Sequence, residues 1–82
     1  MNTTEILSVC NKIFIDQLDN PAIILKRETT AADIEEWDSL SHIQVIVAIE
    51  KHFKIRFTTA EIQSFKNIGE MCDVIEKKVN SK

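Results

Sequence analysis

The scarcity of chain-breaking residues constrains this sequence more than any other feature: across 82 residues, Gly69 is the only glycine and Pro21 the only proline. A small barrel or sandwich turns tightly every few residues and needs many more of both, so helices are favoured. Propensity argues the other way, because 13 Ile and 5 Val make half of the apolar set β-branched. Periodicity decides between the two.

From Thr4 to about Leu18, the residues Ile6, Leu7, Cys10, Ile13, Phe14 and Leu18 follow the three- and four-residue steps of one helical face. Asn2 with Glu5 supplies a cap at its start. The closing segment repeats the pattern with Ile68, Met71, Cys72, Ile75 and Val79, opened by Asn67 and Glu70 and closed by Lys77 and Lys78. Between Thr58 and Phe65, the Thr58–Glu61 box ahead of Ile62 and Phe65 predicts one or two helical turns. The run Ser39 to Phe53 contains Val45-Ile46-Val47-Ala48-Ile49, which taken alone suits a buried strand as well as a helix. Fifteen residues without Gly or Pro, opened by an Asp and closed by Lys51, His52 and Lys54, favour the helix. Asp19 to Trp37 remains as a 19-residue connection, a length that is usually functional. Ile23, Ile24, Leu25 and Ile34 predict that it is pinned across the bundle. The expected fold is all-α: one domain over residues 1–82, a four-helix bundle with a short third helix and a long loop between helices 1 and 2.

Length and charge limit what such a domain does. An apolar fraction of 44% fills one small core and leaves no room for a deep catalytic cleft. A net charge of −3 lacks the basic footprint of a nucleic-acid binder. Cys10 and Cys72 show no CxxC or CxxH spacing and read as reduced core residues of a cytoplasmic protein. The N-terminus has no signal-peptide pattern, and no run approaches membrane-spanning length, so no membrane partner is expected. The two histidines, His42 and His52, give no metal-site spacing. His42 shares a helical face with Ser39, but neither an orienting acid nor oxyanion donors accompany the pair, so no catalytic residue is assigned.

The chemistry lies at the start of the second helix. Asp33, Glu35, Glu36 and Asp38 lead up to Ser39; Asp38 suits the cap, which leaves Ser39 at the first helical position beside unpaired backbone N–H groups. A phosphate ester there would lie in the positive field of the helix end. Asp-Ser opens helices in many proteins, and the pair by itself proves nothing. In its wider setting, however, Trp37-Asp38-Ser39-Leu40, then His42-Ile43, Ile46-Val47-Ala48-Ile49-Glu50 and Phe53, closely resembles the phosphopantetheine-attachment region of acyl carrier proteins. The resemblance covers residues 4–79 and includes the order of the elements.

That resemblance implies that Ser39 receives 4′-phosphopantetheine from coenzyme A through a phosphopantetheinyl transferase, with Asp38 positioned for the transfer. Acyl groups would then ride as thioesters on the arm's thiol, and the chain itself would catalyse nothing. Leu40 is expected to pack under the attachment point, and Ile43, Val47, Ile62 and Ile68 to line the space that shelters a cargo chain. Glu36, Trp37, Gln44 and Glu50, with Asp38, are expected to face partners, the transferase and an acyl-loading ligase or synthase; for Trp37, anchoring the long loop is an equal alternative. The free-standing form implies a monomer. Glu35-Glu36-Trp37 replaces the glycine usual before the serine in fatty-acid carriers, and Ser41, Gln44 and Lys51 make the second helix less acidic. These departures favour a specialised pathway, polyketide-like or other. A carrier of aminoacyl or peptidyl units and an unmodified helical adaptor remain alternatives.

Overall fold

The computed structural model describes residues 2–81. Four helices, α1 (Thr3–Leu18), α2 (Ser39–Phe53), α3 (Thr59–Ser64) and α4 (Ile68–Asn80), are joined in the expected order, and a single 3-10 turn at Ala31–Asp33 interrupts the long loop. No strand occurs among the described residues. The all-α bundle with its short third helix is therefore the observed architecture, and the β-branched Val45, Ile46 and Ile49 of α2 serve as core packing in a helix. No helix among the described residues is long and apolar enough to cross a membrane.

Each helix starts where a short polar side chain can accept an otherwise unpaired N–H. Asn2 and Glu5 form a reciprocal capping box on α1, Asp38 and Ser41 on α2, and Thr58 and Glu61 on α3. Asn67 caps α4 by accepting from Glu70 N, while the Glu70 carboxylate reaches back one residue further than in a capping box, to Lys66 N. With glycine unavailable, α1 and α2 end through the left-handed residues Asp19 (φ 53°) and Lys54 (φ 58°).

The core lies between α1, α2 and α4: Ile6, Cys10 and Phe14 meet Val45, Ile46 and Ile49, and Ile68, Met71, Cys72 and Ile75 close it from the third side. Cys10 and Cys72 are free thiols, fully buried and in contact with each other. The hydrogen bond with the Cys72 sulfur, and then burial, push the Cys10 thiol far up, away from thiolate character.

Apolar and polar devices together pin the long loop. Ile23, Leu25, Ile34 and Trp37 are buried, whereas Ile24 is 76% exposed and does not take part. Asn11, on α1, holds the loop from within, donating to Ile23 O (3.2 Å) and accepting from Leu25 N. The loop in turn supplies acceptors to the start of α4, with Thr29 O taking Ile68 N (2.9 Å) and Arg27 O taking Gly69 N (2.8 Å). Glycine suits this approach, because a Cβ at position 69 would lie 3.0 Å from Arg27 O and 3.2 Å from Arg27 Cβ, closer than ordinary van der Waals contact.

Candidate functional site

The long loop and α2 meet at Asp38, whose backbone is extended (φ −107°, ψ −171°) while its carbonyl already accepts from His42 N at 2.8 Å. The Asp38 carboxylate takes Ser41 N at 2.9 Å, and Asp38 N donates to Ser41 Oγ at 3.1 Å. Ser41 Oγ lies 2.6 Å from Glu36 O and 2.8 Å from Asp38 Oδ1, so its single proton is shared between two acceptors. Donation from the Ser41 backbone N–H and hydroxyl holds the Asp38 carboxyl below its usual range. Asp38 is thereby fixed as a carboxylate, and the turn before Ser39 is fixed with it.

Ser39 is the first residue of α2 and is exposed; among the described residues its hydroxyl has no hydrogen-bond partner. It stands at the mouth of a groove of about 760 Å³ between α2 and α3, bordered by Trp37, His42, Ile43, Thr59, Ile62 and Phe65. The chemistry available is that of an accessible primary alcohol at the positive end of a four-turn helix, beside an apolar trough.

His42 braces this groove. Trp37 Nε1 donates to His42 Nδ1 at 3.0 Å, so the ring proton resides on Nε2, which donates to Ile62 O at 3.1 Å. Both ring nitrogens are occupied in joining the loop, α2 and α3, and neither is directed at Ser39. The Trp37 ring also stands edge-on to Phe14, with centroids 4.9 Å apart at 83°. Sequence reading missed this strut, since five residues separate its members across a helix start, a spacing without a regular contact pattern. The Ser41 hydroxyl was equally unforeseen, although its place three residues after the cap carried the signal.

Other expected positions are redistributed. Leu40 does not pack under the attachment point: it is 72% exposed, on a side of the first turn of α2 turned away from the buried Ser41. Trp37, 8% exposed, anchors the loop and presents little surface to a partner. Glu50 is only half-exposed, and its Oε2 accepts Phe57 N at 2.8 Å, so it closes the α2–α3 connection. Glu36 and Gln44 are exposed, although Glu36 Oε2 also accepts from Asn20 Nδ2 at 2.8 Å. Of the four residues expected to line the cargo space, Ile43 and Ile62 border the groove. Val47 points outward from α2, and Ile68 is wholly within the core.

Comparison with known proteins fits this arrangement. The phosphopantetheine attachment site family matches residues 12–75. An acyl carrier protein from Thermosynechococcus vestitus is 31% identical over 80 residues, covering 96% of this chain and 98% of that one. One from Acidothermus cellulolyticus is 29% identical over 75 residues, covering 92% and 89%. A solution structure of holo acyl carrier protein from Geobacter metallireducens superposes with a TM-score of 0.86 at 44% identity, over 92% of this chain and 86% of that one. Matched through most of its length in both sequence and fold, the chain belongs to the acyl carrier proteins, which do not catalyse but carry acyl groups on covalently attached phosphopantetheine.

Proposed function

We propose that Ser39 is the residue that bears the arm and that the chain serves, as a cytoplasmic monomer, a specialised acyl-transfer pathway. The observation that carries the assignment is the Ser39 hydroxyl itself, exposed and unpartnered at the first position of α2. In the active site of a phosphopantetheinyl transferase, Ser39 Oγ attacks the pantetheine-bearing phosphorus of coenzyme A. A phosphodiester forms, adenosine 3′,5′-bisphosphate leaves, and the hydroxyl proton passes to a base of the transferase. Asp38 fixes the backbone that presents Oγ, through its bonds to Ser41. The positive end of α2 then lies beside the new phosphate. Once attached, the arm supplies a terminal thiol for acyl groups. Ile43 and Ile62 offer the apolar walls against which a cargo chain would lie.

The specialised role is supported by the outer face of α2, where Leu40, Gln44, Val47 and Lys51 stand and no free carboxylate does. The enzymes served would be the transferase and an acyl-loading ligase or synthase. Incubation with coenzyme A and a broad-specificity transferase raises the intact mass by one phosphopantetheinyl group, and Ser39→Ala abolishes the gain. A mass unchanged in the presence of an active transferase, or a gain retained by Ser39→Ala, defeats the assignment.

A further inference from the structure

Five rings stand in series from α1, through α2, to the segments flanking α3. Phe14 meets Trp37 at 4.9 Å between centroids, Trp37 meets His42 at 5.6 Å, His42 meets Phe65 at 6.5 Å, and Phe65 meets Phe57 at 5.6 Å. Trp37, His42 and Phe65 line the groove beside Ser39, whereas Val45, Ile46, Ile49 and Ile68 do not and are at most 2% exposed. The middle ring is bonded on both sides: His42 Nδ1 accepts from Trp37 Nε1 at 3.0 Å, and Nε2 donates to Ile62 O at 3.1 Å. Loop, α2 and α3 are thus joined across the inner side of a groove whose outer side is open, with Ile43 49% exposed and Thr59 and Gln63 exposed at its edge. The groove is an apolar ledge backed by a wall, not the mouth of a cavity.

Resting on the carrier reading above, we propose that this wall keeps cargo out of the interior and that His42, its doubly bonded centre, is the specificity-determining residue that suits the chain to short acyl groups. A chain passing inward between α2 and α3 would part His42 from Ile62 O and from Trp37, stranding an indole N–H in a side chain only 8% exposed. It would then have to displace side chains that are already packed without exposure. Those penalties fall on the first methylene to enter, whereas the gain from leaving water accrues methylene by methylene. A short acyl group reaches its full gain on Ile43 and Ile62 without crossing the wall; a longer one leaves its extra methylenes in water. Alanine at position 42 removes both bonds and the ring, and opens a way inward beside Trp37.

The test uses the full chain, isotope-labelled and loaded by a broad-specificity transferase from acetyl-, butyryl-, octanoyl- and dodecanoyl-coenzyme A, with loading confirmed by intact mass. In the wild type the thermal midpoints of the four forms agree to within about 2 °C, and the methyl chemical shifts of Val45, Ile46, Ile49 and Ile68 are the same in all. In His42→Ala the midpoint rises from the butyryl to the octanoyl form by about 4 °C or more and the same methyls shift, because the added methylenes leave water inside the bundle. A merely structural role for His42 lowers every midpoint of the variant alike and gives no dependence on chain length. A wild-type midpoint that climbs with length, or interior methyls that shift with it, overturns the proposal, and so does a His42→Ala series as flat as the wild type. If circular dichroism shows His42→Ala unfolded, Trp37→Phe, which keeps a ring in the wall and frees only Nδ1, takes its place and is read in the same way. Loaded forms with the wrong length dependence remove only this inference, whereas a chain that takes up no arm removes the carrier assignment and this inference with it.

Discussion

The Trp37–His42–Ile62 strut makes a prediction that a simple tally of contacts would get wrong. Trp37→Phe removes the indole N–H and leaves His42 Nδ1 without its donor at 3.0 Å. It should cost about 2 kcal/mol, about half from the hydrogen bond and half from the smaller ring against Phe14. His42→Leu strands the indole N–H in a side chain only 8% exposed and also leaves Ile62 O without a donor. It should cost roughly 2–3 kcal/mol. The double variant strands neither member of the Trp–His pair, so it should be about 1 kcal/mol more stable than the sum of the two single losses. Loss of the Ile62 contact is common to His42→Leu and the double variant and cancels in the cycle. Urea unfolding of the four proteins measures the coupling, and in a domain of this size 1 kcal/mol also moves the thermal midpoint by roughly 4–8 °C. Losses additive to within about 0.3 kcal/mol would refute the bond as a structural element.

Two further outcomes are expected. Gly69→Ala should lower the unfolding free energy by about 1 kcal/mol, because overpacking against Arg27 O at 3.0 Å outweighs a helix-propensity gain of at most about 1 kcal/mol; a higher unfolding free energy would contradict the close approach. The Asp38 carboxyl is held low in the folded state, so its contribution is complete above the unfolded carboxylate value of about 3.9 and is lost as pH falls through the lower folded value. Asp38→Asn, which keeps a cap but removes the charge, should lower stability at neutral pH, flatten the acid limb of stability against pH and approach the wild type as pH falls; an identical acid limb would contradict it.

Periodicity and caps made most of the fold legible. Asn2, Asp38, Thr58 and Asn67 each precede an observed helix, and Ser39–Phe53 has its expected bounds. What α2 concealed was direction. Its apolar residues cover so much of the circumference that pattern did not say which face turns inward, and the resemblance placed Leu40 and Val47 inward, whereas burial depends on what lies opposite and both stand exposed. Ile68 erred the other way: the resemblance placed it on the cargo space, yet it is fully enclosed by the core. Glu50 shows a third kind of blindness: a charge on a helix gives no sign that a backbone N–H seven residues later will claim it. The Ser39 position was readable because helix capping is local chemistry; the Trp37–His42 strut was not, because it depends on how the loop crosses the bundle.

None of the side chains of α3 is buried, although those of α1, α2 and α4 fill the interior. Its moorings are peripheral: His42 at Ile62 O, the Lys78–Glu61 ion pair at 3.0 Å, and Phe65 edge-on to Phe57. Such a segment opens at lower free energy than the three helices that enclose the interior. Under rising temperature or denaturant it is therefore the wall of the groove that loosens first, while the three-helix frame stays shut.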